Sequence, residues 1–177
     1  MPEIKLHLGC GFNRIDGWEN HDLDIDLTKS LPFPDNSVRF VFAEHAIEHI
    51  TSAESLRFFK EAYRIIKPEG VIRLAFPDVE RISQKYTTSY LSWLSVNGIS
   101  EGTLFGAIDS ITSKHAHKSL WTPSLMKTLL HAVGFCPVDS IVSSSTTAKE
   151  LCGLEGHGKS VGFINNYIET SVVEGIK

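Results

Sequence analysis

The stretch Ile4-Lys-Leu-His-Leu8 alternates apolar and polar residues and runs straight into Gly9-Cys10-Gly11. A period of two specifies a strand, and glycines directly after it specify a tight loop. The same grammar recurs downstream. Trp18 to Asp22 reads as a short second strand. The turn residues Pro32, Pro34 and Asp35-Asn36 lead into Val38-Arg-Phe-Val-Phe-Ala43, an apolar run suited to a strand buried on both faces. Thr51-Ser-Ala-Glu54 has the spacing of a capping box, and Leu56, Phe59, Tyr63 and Ile66 then recur at helical intervals, expected to face the sheet. Lys67-Pro-Glu-Gly70 stops that helix, and Val71 to Phe76 is the next strand, ended by Pro77-Asp78. Strands that alternate with helices bury both most simply by lying side by side in a mostly parallel sheet under a helical layer.

From Val79 to Trp121 the pattern is looser. Tyr86, Tyr90 and Trp93 fall on one helical face, and Gly98, Gly102 and Gly106 interrupt the chain beyond them. Thr122-Pro123 supplies an N-cap and a proline at the first helical position, and Gly134 ends a helix that runs to about Val133. Pro137 to Ser143 and Thr170 to Gly175 read as two closing strands, separated by a Ser/Thr- and Gly-rich segment. With 177 residues and neither a repeat nor a linker, residues 1–177 are expected to form one domain.

Charge and cysteine content narrow the function classes. A formal net charge of −4 gives no support to a nucleic-acid partner. No apolar run reaches the length of a membrane span, and MPEIKLHLGCG has no signal-peptide anatomy. The three cysteines, Cys10, Cys136 and Cys152, are odd in number and form no C-x-x-C pair. They fit neither a disulfide scaffold nor a cysteine-rich zinc site, and a reducing, cytoplasmic location is the expectation.

His45-Ala-Ile-Glu48-His49 fits H-x-x-E-H, a zinc-protease pattern that needs both histidines on one helical face. A buried strand ends just before it and a capped helix opens just after it, so the pattern falls in a strand-to-helix loop. No metal is expected from it.

In open α/β sheets, ligands bind in the crevice beyond the carboxyl ends of the strands. The residues at those ends are Gly9-Cys10-Gly11, Asp22, Glu44-His45 and Pro77-Asp78. Glycines without a β-carbon let a ligand approach the backbone, and an acid after the second strand can accept hydrogen bonds from both hydroxyls of a ribose. Together they describe a site for an adenosine-bearing cofactor. Arg14 stands where a dinucleotide fingerprint needs its third glycine, and no G-x-x-x-x-G-K-[ST] occurs.

These residues carry a resemblance. LHLGCG, a short strand ending in Asp22, DLTKSLPFPDNSVRFVFAEHAIEHI and FFKEAYRIIKPEGVIRLAFPD together resemble a class I S-adenosylmethionine-dependent methyltransferase, nearest the small methyltransferase-like group related to the type 11 family. HKSLWTPSLMKTLLHAVGF extends the similarity. The resemblance implies a single-domain Rossmann-like α/β sandwich, its sheet mostly parallel with an antiparallel closing strand. It also implies S-adenosylmethionine as cofactor. Gly9 and Gly11, with Cys10 between them, would cradle the methionine end. Asp22 would hold the ribose, Asp26 and Leu27 would border the adenine, and Glu44 and His45 would lie near the sulfonium. Asp26 stands one residue further from Leu-Pro-Phe than the family spacing, and turn chemistry is its alternative role.

Only Phe12 to Gly17 separate the glycine loop from the second strand, too few for a helical crossover. The first helix of the family is therefore expected to be truncated, thinning one wall of the pocket. Residues 79–121 would form a lid or acceptor insertion, with Tyr86, Tyr90, Trp93, Phe105 and Trp121 as pocket or core aromatics. Methyl transfer from a sulfonium needs alignment first and a base second. The candidate bases at the mouth are His45, His117, Asp78 and His115, with His49 read as structural. The resemblance implies transfer to an oxygen or nitrogen of a small-molecule or glycan acceptor, with polysaccharide biosynthesis as a setting. The alternative is a non-catalytic relative that serves as a binding or interaction module.

Overall fold

The computed structural model describes residues 3–145 and 147–177. Among these residues six strands form one sheet: β1 (Ile4–Leu8), β2 (Glu19–His21), β3 (Val38–Glu44), β4 (Ile66–Pro77), β5 (Cys136–Ser140) and β6 (Thr170–Ile176). Their spatial order is β2-β1-β3-β4-β6-β5. The first four run parallel, and β6 is antiparallel to both β4 and β5. This is the expected mostly parallel sheet with an antiparallel closing strand.

Strand alternation sorts the side chains between two unlike faces. Leu6, Leu8, Val41, Ala43, Ile72, Leu74, Phe76 and Val173 point into the main core. There they meet α1 (Ser52–Ile65) and α5 (Pro123–Val133), which contribute Phe58, Phe59, Ala62, Ile65, Met126 and Leu130. The expected capping box of α1 is formed in full by Thr51 and Glu54. Its buried stripe is Ser55, Phe58, Phe59, Ala62 and Ile65, rotated from the Leu56–Phe59–Tyr63–Ile66 series expected from spacing, and the helix ends at Ile65. Thr122 caps α5, Pro123 opens it, and Gly134, at φ +120°, closes it.

Among the described residues, the other face carries one 3-10 turn, Lys149–Leu151, and no α-helical layer. Irregular chain covers it, with Ile15, Trp18, Ala148, Leu151 and Leu154 packed on Phe40, Phe42 and Val71. Residues 9–18 contain turns and no helix, as the short connection required. Polar side chains fill the rest of that face. Arg73, fully buried, is paired with both Glu155 and Glu174 and also donates to Ser140 Oγ at 2.8 Å. Ser145 and Thr147 donate to Glu174, and the Ser143 amide donates to Glu155, so the second buried carboxylate is compensated by hydrogen bonds.

The remaining helices gather at the carboxyl ends of the strands. They are α2 (Val79–Lys85), α3 (Thr88–Val96), α4 (Leu104–Asp109), α6 (His157–Val161) and α7 (Phe163–Glu169), with a π turn over Ser110–Lys114 after α4. Ile82, Tyr90, Leu94, Ala107, Ile111 and Ile168 give them a small core of their own. Among the described residues, the Gly-rich stretch between the closing strands thus holds a 3-10 turn, Lys149–Leu151, and two short α-helices that sequence periodicity did not reveal. Among the described residues no helix is long and apolar enough to cross a membrane.

Candidate functional site

Strand β1 has β2 on one side and β3 on the other, so the connections leaving β1 and β3 diverge and leave a crevice between them. That crevice measures about 560 Å³. Gly9, Gly11, Asp22, Asp26, Leu27 and His45 line it, six of the eight residues the sequence assigned to a cofactor. Gly9 adopts φ +66°, and a Cβ there would come within 2.6 Å of Ala46 Cβ, so the two loops touch only because position 9 is bare. The Gly11 amide donates to the Asp22 carboxylate at 3.3 Å, which holds that exposed acid over the glycine loop. Ile25 and Ala46 add apolar wall that sequence pattern did not single out.

The other two assigned residues lie outside the lining. Cys10 is buried beneath the loop, its amide bonded to the His21 carbonyl at 3.0 Å, and burial pushes its thiol pKa up. Glu44 is turned toward Gly156 and His157, whose amides both donate to its carboxylate. Asp26 sits in the wall while performing turn chemistry as well. Its carboxylate accepts from the hydroxyl and the amide of Thr28, which hold it below the usual carboxylate range.

A second cavity of about 290 Å³ lies beyond the ends of β3 and β4. Trp93 of α3, Ile111 of the π turn, His157 of α6 and Glu169 of α7 line it together with His45, Glu48, His49, His115 and His117. His45 and His49 line both cavities, so the two spaces meet at these side chains.

His45 follows β3 at φ +49°, a left-handed conformation rare for a side-chain-bearing residue. The bend stacks its ring on His157, with centroids 3.9 Å apart. The Thr170 hydroxyl donates to Asn166 Oδ1, so it accepts from His45 Nε2–H at 3.0 Å. His45 Nδ1 then faces Glu48 Oε1 at 3.3 Å. Burial works against charge on this imidazole, but the Glu48 carboxylate beside it prevails and raises its pKa. Burial likewise disfavours the charged form of Glu48, yet His45 and, farther off, His117 hold its pKa below the ordinary value. His117 behaves oppositely: burial lowers its pKa, while Nδ1–H donates to the Ile111 carbonyl at 2.6 Å. Its Nε2, 3.9 Å from Glu48 Oε1, is left carrying the lone pair.

Asp78 does not belong to this group. It is 3% exposed and caps α2, accepting from the Glu80 and Arg81 amides, while its second oxygen accepts from Ser171 Oγ at 2.6 Å. Three donors hold this carboxylate as a structural cap, and it lines neither cavity. The aromatics divide too. Trp93 lines the cavity, Tyr90 and Trp121 are core residues, and Tyr86 and Phe105 are exposed. Tyr86 lies between α2 and α3, so it shares no helical face with Tyr90 and Trp93. His49, expected to be structural, is an exposed residue in the wall shared by the cavities. His157 was missed, because nothing in its Gly-rich surroundings marks it.

Sheet order, the crevice at the β1–β3 divergence and the acid beyond β2 define a class I S-adenosylmethionine-dependent methyltransferase fold. Residues 14–74, about a third of the chain, are similar to a methyltransferase domain of the type 11 family. Among solved structures, the chain is similar to an S-adenosylmethionine-dependent methyltransferase from Archaeoglobus fulgidus, with 14% identity, a TM-score of 0.54, and coverage of 99% of this chain and 86% of that one. An S-adenosylmethionine-dependent methyltransferase from Mesorhizobium loti is similar at 13% identity and a TM-score of 0.53, with 100% and 94% covered. A phosphoethanolamine N-methyltransferase from Haemonchus contortus, solved with S-adenosyl-L-methionine, is similar at 14% identity and a TM-score of 0.55. That similarity covers 100% of this chain and 49% of the other. No curated protein matches in sequence.

Proposed function

We propose that this chain transfers the methyl group of S-adenosylmethionine to an oxygen or nitrogen of a small-molecule or glycan acceptor. The observation that carries the reading is the shared wall: the crevice and the enclosed cavity meet at His45 and His49. A methyl group on a sulfonium is already electrophilic, so the protein's task is to hold donor and acceptor in line with little intervening water.

In this reading Asp22 accepts from the ribose hydroxyls, the backbone at Gly9 and Gly11 seats the methionine end, and Leu27 with Ile25 flanks the adenine. The sulfonium then lies toward His45. Residues 79–121 act as the lid over the acceptor, with Trp93 presenting its apolar face. His117, which lines the cavity with its Nε2 unprotonated, is the group best placed to meet an acceptor proton. His45 is committed to Thr170 and Glu48 and positions the shared wall instead. Two exposed apolar side chains, Phe12 and Leu23, stand at 108% and 95% exposure beside the crevice where a helix is missing. They favour a second reading, a non-catalytic relative that docks a partner there.

Calorimetry with S-adenosylhomocysteine, the demethylated product, separates the two. Saturable binding is expected, with Asp22→Ala weakening it by about tenfold or more, the worth of charge-assisted hydrogen bonds. Absence of binding at millimolar ligand, or an unchanged affinity in Asp22→Ala, would replace the enzyme by the binding module.

A further inference from the structure

We infer that Glu48, His49 and His117 form a site for a divalent first-row transition-metal cation in the wall of the histidine-lined cavity. One ligand atom from each of the three residues can be chosen so that all lie within 4.8 Å of one another. Proximity alone would carry little, but Glu48 supplies an independent sign. Its side chain is 1% exposed, and both carboxylate oxygens are buried without a hydrogen-bond partner. An ionised carboxylate offers about four acceptor positions, and leaving them empty in the interior is costly. The nearest cationic candidates are His45 Nδ1 at 3.3 Å and His117 Nε2 at 3.9 Å from the same oxygen. The first is an ion pair to Oε1 that leaves Oε2 unpartnered, and the longer one leaves room for an ion between nitrogen and oxygen.

The histidines are arranged as ligands are. His117 donates Nδ1–H to the Ile111 carbonyl at 2.6 Å, which fixes the tautomer and frees Nε2 to coordinate. A backbone carbonyl commonly holds the far nitrogen of a metal-bound imidazole in this way. The His49 ring stands edge-on to that of His117, at 78° with centroids 4.9 Å apart, so the two imidazoles approach from different directions. Backbone hydrogen bonds splint the two halves of the cluster. The Lys118 and Ser119 amides both donate to the Glu48 carbonyl, at 2.7 and 3.2 Å. His117 is thereby docked on the Glu48–His49 turn although His117 and His49 lie 68 positions apart in the chain.

Two imidazoles and one carboxylate suit Zn2+ and its neighbours, whereas Ca2+ and Mg2+ prefer all-oxygen shells. Three protein ligands leave positions open toward the cavity. The site is not the protease helix suggested by H-x-x-E-H, because residues 47–49 form a single 3-10 turn. Here Glu48 is a ligand, and the partner histidine comes from a distant loop. The role of the cation rests on the methyl-transfer reading: an acceptor oxygen bound to it would be oriented and made more acidic. His117 would then serve as ligand instead of base.

The test is a calorimetric titration of Zn2+ into tag-free, chelator-treated protein. Binding of one ion per chain is expected. His49→Ala, His117→Ala and Glu48→Gln should each weaken it by about tenfold or more, a loss that even an outer-shell partner produces. His131→Ala, in the last turn of α5 and away from the cluster, should leave it unchanged. His49 is exposed, so its alanine variant keeps the fold even where Glu48→Gln does not. No saturable binding at about 0.1 mM Zn2+, or one-site binding that survives in both histidine variants, overturns the site. Binding of S-adenosylhomocysteine is measured separately, so loss of the methyl-transfer reading and loss of the metal site are distinguishable.

Discussion

Glu44, the last residue of β3, accepts the backbone N–H groups of Gly156 at 2.7 Å and His157 at 3.0 Å. One strand-end carboxylate thus fixes a segment more than a hundred residues away and sets the His157 ring against His45. With Glu44 only 8% exposed, its removal leaves two amides unpaired in a largely dry place. Glu44→Ala is expected to cost about 2–4 kcal/mol in denaturant unfolding. Hydrogen exchange at Gly156 and His157 should quicken by about two orders of magnitude. Unchanged exchange at these amides would mean that α6 is held by other contacts.

Gly9 and Gly11 both have positive φ, but only one of them is crowded. A Cβ at residue 9 would meet Ala46 Cβ at 2.6 Å, whereas at residue 11 it would meet nothing within 4 Å. Gly9→Ala should therefore cost backbone strain plus displacement of the Ala46 loop, about 2–3 kcal/mol in total, and should weaken S-adenosylhomocysteine by about tenfold. Gly11→Ala should show the strain alone, about 1 kcal/mol. Equal effects of the two substitutions would refute the close contact between the β1 and β3 loops.

His7 makes stability depend on pH. It lies in β1 at 1% exposure, bonded to Asn20 and against Phe42, and burial lowers its pKa from 6.5 to about 4. The unfolded chain therefore binds a proton between these values that the folded chain refuses. Stability is fully present above about pH 6.5 and falls as the pH drops toward 4, by about 3 kcal/mol for this group. Unfolding midpoints in urea from pH 7 to 4 should show this loss, and His7→Gln should flatten that part of the profile. A wild-type curve that is flat over this range would show that His7 titrates normally.

The four leading strands, the capped helix after His49 and the helix between Pro123 and Gly134 were readable because each is specified locally, by alternation, by caps or by turn residues. The crevice was readable for the same reason. Its floor and rim are Gly9, Gly11 and Asp22, which sit at strand ends that the pattern itself marks. The stripe of α1 was misplaced because Phe58, Phe59 and Ala62 admit more than one apolar face until a partner sheet selects it. The helices α6 and α7 were invisible. They are only five and seven residues long, too short to show a period, and their stability comes from what they pack against.

The sequence by itself therefore determined the alternation of strands and helices, the glycine loop after β1 and the acid after β2, all through patterns spanning a few residues. Tertiary structure alone decided that Asp78 is a helix cap bonded to Ser171 and that Arg73 is buried with Glu155 and Glu174. It also decided that His117 joins Glu48 and His49. Those outcomes depend on pairing charged and polar groups far apart in the chain. Such pairs acquire their energy only when folding removes water from both partners at once, and no local pattern records which two will meet.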